Sequence, residues 1–319
     1  MSTSLLSITE IATGIVMLIV SSFLLTLTIE EIGRRGKFSE RFTGAIISPI
    51  FTAMPELVVI ILALILVGEE SGSQIAAGTI IGEPFMVSAL GFPAVAITLL
   101  LAGRKKGIES VDPVLSKMLI LMGLIFPIMV IPHFFNYISV RLIVAVLLVS
   151  LYFVFFKFVR GEKNFEEEAT DIRFRSGALL ILIIFVGVAL LLGGSVALVR
   201  GIDSLSIQTG LNQELITILL VPIGTIVPET TNAVIWASRN KTSLAIGAMV
   251  GEEIFFVTFF PALGIIASQW TITQDGLLAI ILTSTFSVVL GILSYKFRNA
   301  VYIFIFYLAS LIIFLLFIY

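Results

Sequence analysis

Apolar runs of about twenty residues recur along the whole of this chain. There are ten of them, at roughly 8–29, 43–67, 75–101, 114–133, 140–158, 177–199, 213–237, 243–268, 277–294 and 300–318. A run of that length spans the hydrocarbon core of a bilayer, where backbone polar groups must be satisfied inside a helix or a closed barrel. The runs are continuous rather than alternating, so the expected fold is an all-α polytopic membrane protein with ten transmembrane helices. Composition agrees, because 58% of the 319 residues are hydrophobic and only 13% are charged, too little polar surface to cover a water-soluble domain. No basic segment with a cleavage site precedes the first run, which therefore reads as a retained span rather than a signal peptide. The absence of cysteine removes disulfides, haem attachment and thiolate metal sites from consideration.

The placement of charge orients the spans. All of the 19 Lys and Arg except Arg141 and Arg200 fall in alternate connecting segments. The positive-inside rule puts those segments in the cytoplasm and both termini outside. The one long charged stretch, RGEKNFEEEATDIRFR at 160–175, reads as a cytoplasmic linker with a solvated acidic face at Glu166, Glu167 and Glu168. It separates a first half, 1–159, from a second, 176–319, with five spans in each. An odd number of spans makes the two halves enter the membrane from opposite sides, the inverted-repeat plan of many secondary transporters.

The halves also share motifs. SPIFTAMPEL in the second span answers VPIGTIVPET in the seventh, with Pro49, Thr52, Pro55 and Glu56 matching Pro222, Thr225, Pro228 and Glu229 at a spacing of 173 residues. In the following spans AAGTIIGEPF answers AIGAMVGEEI, with Gly78, Gly82 and Glu83 matching Gly247, Gly251 and Glu252 at a spacing of 169. Phe92-Pro93-Ala94 against Phe260-Pro261-Ala262 is a third echo.

Proline inside a helix lacks the N–H and clashes with the carbonyl four residues back, so Pro55 and Pro228 release the carbonyls of Phe51 and Gly224. Freed carbonyls survive within a membrane only where they line a cavity or bind something. Each half thus offers a broken helix, loose carbonyls, a threonine hydroxyl and a carboxylate, the oxygen donors that a hard cation such as Ca²⁺ takes. The Gly-x-x-x-Gly pairs let neighbouring backbones approach closely and bring the second carboxylates inward. A pseudo-two-fold arrangement would gather Glu56, Glu83, Glu229 and Glu252 at one site near the membrane midplane. Four unpaired carboxylates there would cost on the order of 10 kcal/mol. They must therefore hold protons, cations, or each in alternation. Glu83 and Glu252 fit this site, or else a helix-end or proton-path position. Glu253 faces Pro84 in the internal alignment and reads equally as a pore-mouth, structural or ligand residue. Asn232 fits a hydrogen bond to the site or an interhelical contact. Single prolines such as Pro93 and Pro127 fit simple kinks, and His133 reads as a headgroup-level residue.

GTIVPE and its partner FTAMPE resemble the signature of the calcium/cation antiporter superfamily, which includes the sodium/calcium exchangers. The spans that follow resemble that family's GN-x-x-GSN motif. The resemblance implies alternating access at a site built from spans two, three, seven and eight. It implies Glu56 and Glu229 as the principal calcium-binding carboxylates, with Thr52 and Thr225 contributing backbone oxygens. The chain departs from the pattern at Ala53, Ile226, Glu83, Glu252, Val87 and Phe256, where the family carries neutral polar groups. Those groups help to hold sodium.

The expected function is therefore secondary-active antiport of a divalent cation, Ca²⁺ first, against H⁺ or Na⁺, with H⁺ favoured because crowded carboxylates take up protons as the divalent ion leaves. The alternative is a channel-like or non-transporting membrane protein with an acidic pocket. No enzyme signature, cofactor motif or nucleic-acid-binding pattern is present, so the expected partners are inorganic cations and the lipid bilayer. The expected location is a prokaryotic cell membrane.

Overall fold

The computed structural model describes residues 2–35, 53–103, 111–160, 177–239, 242–297 and 301–318. Among them every regular element is helical. The helices are α1 (Ser2–Arg35), α2 (Met54–Leu66), α3 (Glu69–Met86), α4 (Phe92–Gly103), α5 (Pro113–Ile125), α6 (Ile131–Phe134), α7 (Ile138–Arg160), α8 (Gly177–Thr209), α9 (Gln213–Ser238), α10 (Thr242–Ala267), α11 (Gln274–Lys296) and α12 (Leu308–Ile318). A π turn, Val87–Gly91, joins α3 to α4 within one span. A 3-10 stretch, Phe126–Val130, joins α5 to α6 and begins at the Pro127 position.

Eight of the described helical stretches are long and apolar enough to cross a membrane, or nine when the bent α9 is counted as one span. The expectation of ten therefore remains one short among the described residues. The second expected span, 43–67, is described only from Ala53 onward, and its apolar helix is the 13-residue α2. Two elements exceed their expected bounds. The sixth span was expected to end at 199, yet α8 continues to Thr209, because 200–209 contains no proline and its one glycine, Gly201, is packed rather than exposed. Similarly, α1 fills 34 residues, a length of about 50 Å against a hydrocarbon core of about 30 Å.

Small residues set the helix crossings, and the contacts they make are reciprocal. A methyl group added to Gly14 on α1 would meet the Gly194 carbonyl oxygen at 2.8 Å and the Leu198 nitrogen at 2.9 Å on α8. One added to Gly201 on α8 would meet the Ser7 oxygen and the Ile11 nitrogen on α1, each at 3.0 Å. The pair α5 and α11 repeats this relation. Gly123 lies under Ser284 and Val288, while Gly291 lies under Ser116 and Ile120, and Ser294 Oγ donates to Ser116 Oγ at 2.9 Å across the same crossing. Exchanging the two helices of either pair leaves the contact pattern unchanged.

One end of the bundle is tied together by the turn between α10 and α11. Trp270 is fully buried with φ +50, an uncommon region for a bulky residue. Its indole N–H donates to the Met129 carbonyl at 2.8 Å, and its ring lies against Gly264. Arg141 of α7 donates to the carbonyls of Ile265 and Ser268. The Gln269 N–H donates to Ser73 Oγ of α3 at 3.2 Å, and the Ile272 N–H to His133 Nδ1 at 3.0 Å. The sequence expectation for His133 as a headgroup-level residue is thus replaced by a half-buried hydrogen-bond acceptor.

The same turn is held by Glu214, the second residue of α9, which is completely buried. Its Oε2 accepts from the Thr273 N–H at 3.0 Å, just ahead of α11. The carboxylate thereby lies at the positive ends of two helices, the setting in which a buried negative charge is best tolerated. Gly276 leaves the room it needs, since a Cβ there would come within 1.7 Å of Glu214 Oε1.

The packing gives a stability prediction. Gly123→Ala forces a methyl to 2.6 Å from a backbone oxygen, and overpacking of this kind costs about 1–3 kcal/mol. At Gly68 an added methyl meets nothing within 4 Å. Thermal unfolding in detergent is expected to show a lowered midpoint for Gly123→Ala and an unchanged one for Gly68→Ala.

Candidate cation site

Two of the four carboxylates stand in first turns, one at the start of α2 and one just after a bend in α9. Glu56 is the third residue of α2, after the N-cap Ala53 and with Pro55 at the second position. Proline suits that position because the first-turn N–H groups have no intrahelical partner. In α9 the axis bends by 50° between Gln213–Val227 and Glu229–Ser238. Pro228 stands in the gap, and loss of its N–H accounts for the bend. Glu229 therefore opens the second arm as Glu56 opens α2. The bend expected in the seventh span is present, whereas Pro49 and Thr52 of the second span lie outside the described residues.

Glu83 and Glu252 come from the middle of α3 and α10. Glu56 and Glu83 are fully buried, while Glu229 and Glu252 are half-buried. The four lie within electrostatic reach of one another. Glu56 faces Glu252, Glu83 faces Glu56 and Glu252, and Glu229 faces Glu252 as well as Glu56 and Glu83. The structure thus gathers the four glutamates that the motifs single out. They do not form a finished metal shell on their own, since no three acidic or histidine side chains of the described residues converge closely enough to hold a metal ion.

Thr225 links the two motif helices. Its Oγ1 donates to Glu83 Oε2 at 2.9 Å and lies 3.4 Å from the Val221 and Pro222 carbonyls of its own helix. The threonine thus acts through its hydroxyl, beside the backbone role that the family resemblance implies for it. The side chain of Asn232 lies outside the described ones.

Most carboxylate oxygens here have no partner. Both oxygens of Glu56, both of Glu229 and Oε1 of Glu83 are buried with no donor at hydrogen-bonding distance among the described residues, although the Thr225 hydroxyl lies near Glu56 and the Glu252 carboxyl near Glu229. The charged groups that act on these three are other carboxylates. Buried polar atoms in folded proteins are normally satisfied, and a buried charge is normally paired. Five such oxygens in one place are acceptors that a proton or a metal cation could complete.

The glycines beside these carboxylates differ in their described neighbours. Gly78 and Gly82 of α3 are seated on α9, where an added methyl would meet the Glu214 oxygen at 2.7 Å and the Ile218 Cα at 2.8 Å respectively. Gly251 of α10, the counterpart of Gly82, is exposed, and none of the described residues comes within 4 Å of an added methyl. The neighbouring Glu252 is half-exposed for the same reason. Glu253 turns the other way. It is 1% exposed and accepts from Ser88 Oγ of the π turn at 3.1 Å. Ser88 is a residue that the sequence motifs did not single out. Its signal in the sequence is indirect: a hydroxyl placed within an otherwise apolar run just after Glu83.

An all-helical membrane bundle with a buried, cation-seeking carboxylate site is the class of an ion transporter. The comparisons agree. The family model described as sodium/calcium exchanger protein matches residues 6–160 and 179–319, and the chain belongs to that family, whose members are transporters rather than enzymes. A solved structure described as native YfkE is similar over 98% of this chain and 91% of its own, with TM-score 0.68 and 19% identity. The H⁺/Ca²⁺ exchanger CAX is similar over 97% of this chain and 88% of its own, with TM-score 0.66 and 15% identity. The sodium–calcium exchanger NCX_Mj is similar over 97% and 98%, with TM-score 0.57 and 20% identity. At these identities the likeness is one of fold. Among curated proteins, the putative antiporter CaxA of Alkalimonas amylolytica is 31% identical over 87 residues, a stretch covering 27% of this chain and 27% of that relative.

The Thr225–Glu83 contact is open to direct test. Thr225→Val keeps the shape and removes the donor, leaving a further buried carboxylate oxygen unsatisfied at a cost of about 1–3 kcal/mol. Thermal unfolding in detergent is expected to show a lowered midpoint for Thr225→Val and near-normal stability for Thr225→Ser, which keeps the hydroxyl.

Proposed function

We propose that this protein is a secondary-active antiporter that exchanges a divalent cation, Ca²⁺ first, against H⁺. The observation that carries the reading is the set of five buried carboxylate oxygens without partners on Glu56, Glu83 and Glu229. In this reading Glu56 and Glu229 are the principal ligands of the divalent ion, assisted by Glu83, Glu252 and backbone oxygens beside Thr52 and Thr225. Carboxylates that repel one another release a divalent ion most readily when protons replace it, so the same groups serve both ions in turn. Family membership supports divalent-cation antiport. The carboxylates at Glu83 and Glu252, where the family resemblance leads one to expect neutral sodium-binding groups, support H⁺ over Na⁺.

The two halves, 1–159 and 176–319, act in this reading as inverted five-helix repeats joined by a cytoplasmic linker at 160–175. The reciprocal helix contacts and the two separate matches to the family model support that plan. The Lys and Arg asymmetry supports both termini outside, in a bacterial or archaeal membrane.

Uphill uptake of radioactive Ca²⁺ into proteoliposomes under an imposed pH gradient is the deciding measurement. Uptake against the calcium gradient with protons alone as driving ion is the expected result. Uptake that requires a sodium gradient would replace H⁺ with Na⁺. Purely downhill flux would mark a channel and overturn antiport. Glu56→Gln and Glu229→Gln are each expected to abolish uptake, and normal uptake in either would overturn the central site.

A further inference from the structure

The internal repeat changes its spacing beside the cation site. Glu83 and Glu252 are 169 residues apart, whereas Phe92 and Phe260 are 168 apart. In this interval the first half therefore carries one residue more than the second. A π turn holds one residue more than an α turn and is found most often at functional sites. Val87–Gly91 is such a turn, closed by the Phe92 N–H donating to the Val87 carbonyl five residues back. The matching stretch of α10 is ordinary α-helix, unbroken from Thr242 to Ala267.

The turn touches three of the site helices. On α3 it is bonded to the backbone of Glu83 itself, whose carbonyl accepts from the Val87 N–H. On α10 Glu253, the residue directly after Glu252, accepts from Ser88 Oγ through Oε1 at 3.1 Å. On α9 the neighbour of Gly91 is Thr230, the residue directly after Glu229. A Cβ at Gly91 would lie 3.3 Å from Thr230 Oγ1 and would press on the end of the Met249 side chain, three residues before Glu252. Successive residues of a helix are about 100° apart around its axis. Holding the residue after a carboxylate therefore sets the direction in which that carboxylate leaves its helix. The turn is also backed firmly. Ser88 is fully buried and within hydrogen-bonding reach of the Tyr307 hydroxyl. Tyr307 donates to Ser287 Oγ at 2.9 Å and stacks on Phe92 with ring centres 5.3 Å apart.

We propose that the Val87–Gly91 turn is a spacer that sets the separation of Glu83, Glu229 and Glu252, with Ser88 and Gly91 as positioning residues through which the site discriminates among divalent cations by size. This rests on the divalent-cation reading of the site. Selectivity between such ions is a matter of cavity size, ligand number and ligand flexibility. The turn contributes no ligand. It limits how far carboxylates on three helices close on a small ion or spread around a large one.

The reporter is the ratio of binding constants for Ca²⁺ and the smaller Mn²⁺, measured by titration calorimetry on the purified full chain in detergent. The parent is expected to discriminate between the two ions. Ser88→Ala, Gly91→Ala and Glu253→Leu are each expected to move the ratio toward one by about 5-fold, the worth of one ordinary hydrogen bond. Glu253→Gln retains an acceptor oxygen for Ser88 and is expected to restore the parent ratio. Gly68→Ala, where an added methyl meets nothing within 4 Å, is the neutral control. A merely structural role would lower the unfolding midpoint and weaken both ions alike, and that unchanged ratio would overturn the spacer. Equal binding of the two ions by the parent would overturn it as well. So would loss of Ca²⁺ binding in Glu253→Gln as complete as in Glu56→Gln, since Glu253 would then be a ligand. A parent that binds neither ion would remove the cation reading and the spacer together. A parent that binds and discriminates, with variants that keep its ratio, would remove the spacer alone.

Discussion

A carboxylate inside a membrane bundle is tolerated only with a partner, and the partners in this fold are deliberately few. At one end Glu214 accepts a backbone N–H through Oε2 and lies at two helix starts, while its Oε1 has no partner among the described residues. In the centre neither oxygen of Glu56 or Glu229 has a donor at hydrogen-bonding distance among the described residues, and in the proposed reading a mobile positive species completes them. The same type of side chain therefore plays a fixed part in one location and an exchangeable part in another. What differs is whether the protein itself supplies the compensating charge or dipole.

The helix crossings serve this arrangement. Hydrophobicity does little to drive helices together within lipid, so close backbone approach and packing must hold the bundle. Gly14, Gly201, Gly123 and Gly291 provide that approach in two reciprocal pairs, away from the carboxylates. Gly78 and Gly82 provide it beside the carboxylates, on α9 alone. The framework is therefore nearly symmetric at those two packing pairs.

Much of this was legible in the sequence, for particular reasons. Span positions follow from apolar length, and Glu56, Glu83, Glu229 and Glu252 follow from internal repetition of rare intramembrane carboxylates. The bend at Pro228 follows from the chemistry of proline. What was not legible depended on long-range partners. Ser88 is an ordinary serine until the π turn aims it at Glu253. Glu214 sits beside a span start, where a carboxylate is unremarkable, and its burial depends on Gly276, sixty residues on in the chain. His133 lacked any local cue that its ring would accept from the turn after Trp270. The extension of α8 to Thr209 escaped notice because hydropathy marks where lipid ends, not where a helix ends.

The turn at Trp270 has a mechanical consequence. It fastens the neighbouring ends of α3, α7, α9 and α10 to one another through separate hydrogen bonds, and releasing any one of them leaves the others in place. Were α9 to tilt about that end, displacement would grow with distance from it. Glu229 lies about 24 Å along α9 from Gln213, so a tilt of about 10° about this anchor carries the carboxylate through about 4 Å. A small angular change at a fixed end is thereby geared into a movement larger than a metal–oxygen bond.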